Sequence, residues 1–414
     1  MKKIFYFISP VLLAILSFTC SKNKPIILDE TQSVILPSNG PEIINANNHF
    51  AFAFFKATLA QDTLNNNKLI SPLSIYLALS MVYNGADNAT KDSIAQTLQL
   101  SGIDINNLNS VCQALISQLP KEDNKVQMNI ANSVWYRQNS FPPLASFLDI
   151  LQNNFQASAQ GLNFNDPSSV NTINDWVSQK TNNKIPTIIQ RIDPSDLMYL
   201  INAVYFNGSW QHGFKTSDTY NDNFYLQKGT TKSVPFMQQE IKANIFRDST
   251  FSMVELPYGS GKSFSMYILK PSNQEESISG FASSLNENIL TNAISKMDSS
   301  TVELQMPKWE YSYEVQDMRP ELSMLGMGIA FGNNADFSKI YGTTPTNVYI
   351  SKAIHKTYIK VDEVGTEAAA VTAIGFTTTA IQLSQVFKLD HPFLYAIIEK
   401  QTGAVLFLGM LNEP

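Results

Sequence analysis

The residues best suited to proton transfer near neutral pH are the four histidines, His49, His212, His355 and His391, and they lie far apart along the chain. A hydrolase using one of them needs a nucleophile presented within its reach, yet the sequence has no G-x-S-x-G elbow and no H-E-x-x-H zinc pair. Gly259-Ser260-Gly261-Lys262-Ser263 imitates the end of a phosphate-binding loop, but Leu256 stands where that loop needs its first glycine. A hairpin turn is the expectation there. His355 falls inside a strand pattern and reads as a hydrogen-bonded core residue. These residues make no catalytic set, so the chain is expected to be no enzyme and to need no metal or cofactor.

Chemistry of another kind is written between Glu363 and Ile381, E-V-G-T-E-A-A-A-V-T-A-I-G-F-T-T-T-A-I. From Ala368 to Phe387 there is no charge and no proline. Its threonines and glutamines would be costly in a bilayer, which excludes a membrane span. Small and β-branched residues without charge instead suit a segment able to join a sheet as a strand. In such a strand Glu367 faces water, which places Thr366, Ala368, Ala370 and Thr372 on the opposite, inward face. Gly365 would permit the turn where such a strand begins.

The elements that must hold this stretch come from a chain of 414 residues, 44% hydrophobic and 15% charged, with a formal charge of -6. That is enough to bury a large core, and an acidic chain without basic runs is not built for nucleic acid. Met1-Lys2-Lys3, an apolar run from Ile4 to Phe18 and Thr19-Cys20-Ser21-Lys22 have the form of a bacterial secretory signal over residues 1–19. Leu16 to Cys20 resembles a lipobox, with Phe18 and Thr19 in place of smaller residues. Lipidation of Cys20 would anchor the protein in the cell envelope, in the periplasm or outer membrane; a plainly cleaved signal, with secretion, is the alternative. Cys112 reads as a small buried hydrophobe.

Residues 20–44 are polar, carry Pro25, Pro37, Gly40 and Pro41, and read as a flexible tether. Residues 45–414 read as one domain. Phe50, Phe54, Phe55 and Leu59 mark a helix over Asn47 to Ala60. Ser71-Pro72 to Gly85 reads as a buried helix capped by Ser71 and closed by a left-handed Gly85. Further helices are expected over Phe147 to Phe155, Val170 to Val177 and Met318 to Leu325. Val126 to Val134 alternates like a half-buried strand, and Met198 to Phe206 is an apolar run expected of a central strand in which Asn202 must find partners. Val348 to Val361 reads as a strand feeding into the hinge stretch. Phe393 to Glu399 and Ala404 to Met410 flank a turn. Helices early and strands late give an α+β domain.

Several motifs recur here in one order: Ser71-Pro72-Leu73-Ser74-Ile75 with Gly85-Ala86, Asn174-Asp175-Trp176-Val177, and Asn202-Ala203-Val204-Tyr205-Phe206-Asn207-Gly208-Ser209-Trp210. Glu255-Leu256-Pro257-Tyr258, Ala335-Asp336-Phe337-Ser338, His355-Lys356, the hinge from Glu363 to Thr372, His391-Pro392-Phe393 and Phe407-Leu408-Gly409 follow. In this the chain resembles the serpins, serine protease inhibitors that work as one-time conformational traps, over residues 45–414.

The resemblance implies an α+β serpin fold of three mixed, mostly antiparallel sheets, with an exposed reactive-centre loop over about 363–386. After cleavage such a loop inserts into the large sheet and traps the protease in a covalent complex. The implied hinge comprises Glu363, Gly365, Thr366, Glu367, Ala368, Ala369, Ala370 and Thr372; Val364 and Val371 depart from the commoner residues but suit a strand. Ser71, Ser74, Asn202 and His355 would form the polar shutter under the opening sheet, and Trp176 would lie where insertion begins. Counting from Gly365 puts the reactive bond between Thr379 and Ala380, and counting back from Pro392 puts it about two residues later. A small residue there suits elastase-like serine proteases; subtilisin-like, papain-like and, after Phe376, chymotrypsin-like enzymes are the alternatives. Residues 101–127 offer Lys121 and Lys125 against Asp104, Glu122 and Asp123, so no heparin-type activator is expected. The protein is expected to be a monomer whose contact with a membrane runs only through Cys20. A serpin-fold binding or chaperone-like envelope protein that traps nothing is the competing reading.

Overall fold

The computed structural model describes residues 31–414 apart from 65, 139–140, 194, 228, 343–346 and 367–384. Cys20, Glu367, Ala368, Ala369, Ala370, Thr372, Thr379 and Ala380 therefore lie outside the described residues.

The strands, numbered in chain order, form two hydrogen-bonded sheets. The six-stranded sheet runs β10 (Trp309–Val315), β11 (His355–Val361), β12 (Gly365–Thr366), β4 (Met198–Ser209), β2 (Val126–Arg137) and β3 (Ser158–Leu162). The second sheet runs β1 (Lys68–Ile70), β15 (Val405–Leu411), β14 (Phe393–Glu399), β8 (Phe264–Pro271), β7 (Phe251–Pro257), β6 (Thr231–Arg247), β9 (Asp298–Pro307) and β13 (Gln385–Lys388). A ninth strand, β5 (Tyr220–Tyr225), also pairs with β6. The long β6 divides this sheet. Its early part bonds β5 and β9, and only Ile245 to Arg247 bond β7. The architecture is thus α+β with three strand groups, two of them joined through β6. Pairing is antiparallel except between β2 and β3 and between β9 and β13.

Residue type explains the layers. Every residue of β14 and β15 is buried, as their apolar sequences require of strands covered on both faces. The helix Pro72–Gly85 packs between the sheets against β4 and β15, and it is buried over nearly its whole length. The helix Ser168–Lys180 covers the other face of β2 and β4, where Ile173 and Val177 meet Trp135 and Ile201. The turn Gly259 to Ser263 joins the antiparallel β7 and β8, as expected, with Gly259 and Gly261 at φ of 56° and 78°.

Four local expectations are corrected. The tether expected over 20–44 is docked from Thr31 onward: Thr31 bridges Asp123, and the Gln32 N–H donates to the Glu122 carbonyl at 2.9 Å. The Val34 and Ile35 amides donate to the Gln401 and Gln118 side chains at 3.0 and 2.7 Å. The first helix then runs Gly40–Gln61, because Pro41 in a first turn sacrifices no helical hydrogen bond. Gly85 is the last residue of its helix and not left-handed; a Cβ there would lie 2.3 Å from Ile340 Cγ1, so close packing requires the glycine. Finally, β11 begins only at His355, because the preceding backbone bonds elsewhere: Ile350 N–H to the Ala330 carbonyl and the Ala353 carbonyl to Met318 N–H.

Candidate functional site

The six-stranded sheet has a slot in its middle. Thr366 pairs with Val361 on one side and Gly208 on the other, and Gly365 pairs with Ser209. Both pairings are antiparallel, so β11 and β4 run parallel to one another with a strand's width between them. Beyond Thr366 no described residue pairs with their facing edges. A cavity of about 310 Å³ opens there, lined by Met198 to Ala203 of β4, His355 of β11, Ser74 of the buried helix and Val177 of the covering one. A smaller one continues it between Val204 to Phe206 and Tyr358 to Lys360. Unpaired strand edges are templates for another strand, and this pair offers an antiparallel place.

The hinge enters this slot in a defined geometry. Gly365 has no left-handed backbone; a Cβ would stand 2.1 Å from the Gly208 carbonyl oxygen, so close approach to β4, rather than a turn, requires the glycine. Thr366 is buried, and its hydroxyl meets the Tyr258 hydroxyl at 2.6 Å. Trp210 stacks on the Tyr258 ring at 4.6 Å. It also holds the hinge backbone directly: its amide donates to the Val364 carbonyl at 2.8 Å and its indole N–H to the Asp362 carbonyl at 3.0 Å. The Phe214 amide donates to the Glu363 carbonyl at 2.8 Å. The Glu363 side chain is itself buried, paired with Lys308 at 2.8 Å and accepting from the Thr219 hydroxyl at 2.7 Å. Burial alone would raise its pKa, but the bonds from Lys308 and Thr219 prevail and hold the carboxyl below its ordinary value.

Three of the four shutter candidates, Ser74, Asn202 and His355, line one cavity, and Ser71 joins them through His355. The Ser71 amide donates to His355 Nε2 at 2.9 Å, and the Ser71 hydroxyl donates to the Leu406 carbonyl at 2.9 Å. Ser71 therefore does not cap its helix with its side chain, contrary to expectation: a carbonyl brought up by β15 captures the hydroxyl. Burial depresses His355 to about 3, so its imidazole is neutral. Asn202 donates to Asn132 Oδ1 at 2.7 Å across the strand pair, while its own Oδ1 is buried without a partner. Ser74 is buried on the cavity wall beside them.

Trp176 is not at the entry. It lies on the covering helix with its ring edge-on to Trp135 at 6.1 Å, among the residues packed between that helix and the sheet. The tryptophan at the hinge is Trp210. Sequence reading passed over Trp210, Tyr258 and Lys308 as functional residues, although the first two end the Asn202 to Trp210 and Glu255 to Tyr258 motifs and could have been found there. Two of the remaining three histidines have simple acidic partners, His49 with Glu287 at 2.9 Å and His391 with Asp390 at 2.8 Å. Cys112 is a free, buried thiol pushed up to about 12 by burial, as an inert core residue should be.

Comparison with known proteins accounts for this arrangement. The family model described as serpin (serine protease inhibitor) matches residues 45–414. The leukocyte elastase inhibitor of Bos taurus is 32% identical over 381 residues, spanning 89% of this chain and 98% of its own. The thermophilic serpin tengpin in its native state superposes with a TM-score of 0.83 at 33% identity, over 93% of this chain and 97% of that one; its latent state gives 0.77. Human thyroxine-binding globulin complexed with thyroxine gives 0.82 at 26% identity, over 91% and 100%. From the motifs, the slotted sheet and a match running over nearly the whole described domain, the chain belongs to the serpin family.

Proposed function

We propose that this serpin is an irreversible, suicide-substrate inhibitor of serine proteases that feeds its cleaved loop into the slot between β11 and β4. The observation that carries this reading is the slot already entered by Gly365 and Thr366. Continuing the register of the Thr366–Gly208 pair would set Ala368, Ala370, Thr372, Ile374 and Phe376 inward, with Phe376 opposite Met198. The same count on β11 sets Thr372 opposite His355 as well as Asn202. Its hydroxyl would then reach the unpartnered Asn202 Oδ1, and the larger Ile374 and Phe376 would fill the cavity. Each ladder bond contributes ~1 kcal/mol net. A strand bonded on both edges would thus supply several kcal/mol to displace an attached protease, even after the entropy of ordering the loop is deducted.

The chemistry belongs to the protease. Its serine oxygen attacks the Thr379 carbonyl carbon, the bond to Ala380 breaks, and the new amino terminus leaves with Ala380. The acyl ester then ties Thr379 to the protease, and insertion carries it along the sheet before water completes hydrolysis. Thr379 suits a shallow, elastase-like pocket, and the name of the bovine relative points the same way. Lipidation at Cys20 would hold the inhibitor at a bacterial envelope, where it would act as a monomer without a heparin-type activator.

Structural likeness to a thyroxine-binding protein favours a second reading, a carrier or binding protein that traps nothing; the small, proline-free, uncharged inward face of the hinge opposes it. Mixing the protein lacking residues 1–20 with elastase-like, subtilisin-like and chymotrypsin-like proteases separates the two. A band at the summed mass on a denaturing gel, with a new amino terminus at Ala380, is expected. Loop cleavage without such a band across all these proteases would establish the second reading.

A further inference from the structure

A cavity of about 210 Å³ lies between β6, β7 and the segment after β4 that holds the hinge. Its apolar wall is Trp210, Phe214, Ile241 and Leu256. Glu255 and Lys400 also border it, but they neutralise each other at 2.6 Å, and Asn244 and Ser265 occupy the remaining carboxylate positions at 2.7 Å each. At the rim stand Lys242 and His212. Among the described residues Lys242 has no acidic partner, so the cavity carries an uncompensated positive charge in a chain whose formal charge is -6. An aromatic and aliphatic wall with one cation at its mouth fits a compact amphipathic carboxylate, its apolar body against Trp210 and its anion at Lys242.

Two of the wall residues are those that hold the hinge. Trp210 bonds the Asp362 and Val364 carbonyls, and Phe214 bonds the Glu363 carbonyl. A ligand packed on these rings differs in affinity between hinge positions, and linkage makes the hinge respond to it. We propose that this cavity is an effector site for a small amphipathic carboxylate whose occupancy steadies the hinge through Trp210 and Phe214. The proposal is independent of protease trapping, because it concerns binding to the uncleaved protein.

The test is calorimetric titration of the protein lacking residues 1–20 with phenylacetate and octanoate, and with phenylacetamide as the uncharged control. Saturable one-to-one binding of a carboxylate is expected, at least fivefold weaker for the amide. Lys242→Glu, a rim change that leaves the wall intact, should weaken the carboxylate at least tenfold, and Ile241→Trp should fill the cavity and abolish binding. Hydrogen exchange of the peptide covering residues 358–366 should slow when the ligand is saturating. Absence of saturable binding, or binding indifferent to Lys242→Glu, overturns the site. Binding that leaves exchange in that peptide unchanged overturns its coupling to the hinge.

Discussion

Acidifying the protein to pH 5 should weaken the sheet at the slot, and His355 sets the size of the effect. Its Nε2 accepts the Ser71 amide, so the single ring proton of the neutral form sits on Nδ1. A second proton would replace the acceptor by a donor facing Ser71, at the positive end of the helix Pro72–Gly85 and out of reach of water. Burial accordingly lowers the folded value to about 3 from the ordinary 6.5. The unfolded chain therefore takes up the proton first. Stability is intact above pH 6.5 and is lost as pH falls toward 3, by ~1.4 kcal/mol per unit. At pH 5 the loss through this one residue is about 2 kcal/mol.

Guanidinium unfolding between pH 7.5 and 5, for the wild type and for His355→Gln, measures this. Glutamine can accept the Ser71 amide without titrating, so the wild type should lose about 2 kcal/mol more than the variant between pH 6.5 and 5. Most carboxylates stay ionised in that window, and the comparison cancels the other histidines. The same loosening should shorten the lifetime of inhibitory activity at pH 5 in the wild type and leave the variant unaffected. Equal pH slopes in the two proteins, or an NMR titration of His355 above pH 6, would refute the reasoning.

Ala370→Arg puts a charge on the inward face beside Val204, so insertion should stall and the protein should be cleaved as a substrate. Covalent complex at wild-type stoichiometry would contradict the assigned face. Tyr258→Phe removes the buried bond to Thr366 and should cost ~1 kcal/mol at the hinge, read as faster hydrogen exchange over residues 358–366 with the remaining sheet unchanged. Glu122 is fully buried, and burial followed by the charge of Glu399 raises its carboxyl well above the ordinary range. The folded state then holds a proton that the unfolded chain gives up, and stability falls as pH rises from the ordinary carboxylate range. Glu122→Gln should raise the guanidinium midpoint at pH 8, by more than ~1 kcal/mol in free energy, and leave it unchanged at pH 4.

What the sequence revealed and what it hid divide along sequence distance. Alternation located β2 and the inward side of Thr366, and apolar runs located β4, β14 and β15, because periodicity is a local property of the chain. Ser71 obeys no local rule. Its hydroxyl is a good cap by type, but the Leu406 carbonyl, 335 residues away, takes it. Gly85 and Gly365 were identified as necessary for the wrong reason, since backbone conformation can be argued from neighbours in sequence, whereas contact with Ile340 or with Gly208 cannot. The same holds for the two tryptophans. Trp176 and Trp210 both sit in strong motifs, and only the fold shows which one meets Asp362, 152 residues beyond Trp210.

That distance has a mechanical consequence. The hinge is held from β4's end by Trp210, from β7's end by Tyr258 and from the segment after β9 by Lys308, three elements that do not depend on the loop for their own pairing. Cleavage in the loop would leave these contacts in place, so the cut strand would start from a fixed register at Thr366 and extend along β4 and β11 one pair at a time. A hinge without them could enter the slot one residue out of step, which would turn Glu367 inward and the alanines outward. Combining Trp210→Ala with Tyr258→Phe should therefore raise the fraction of cleaved, untrapped protein even with every loop residue intact. Unchanged stoichiometry in that double variant would mean that the slot edges alone set the register.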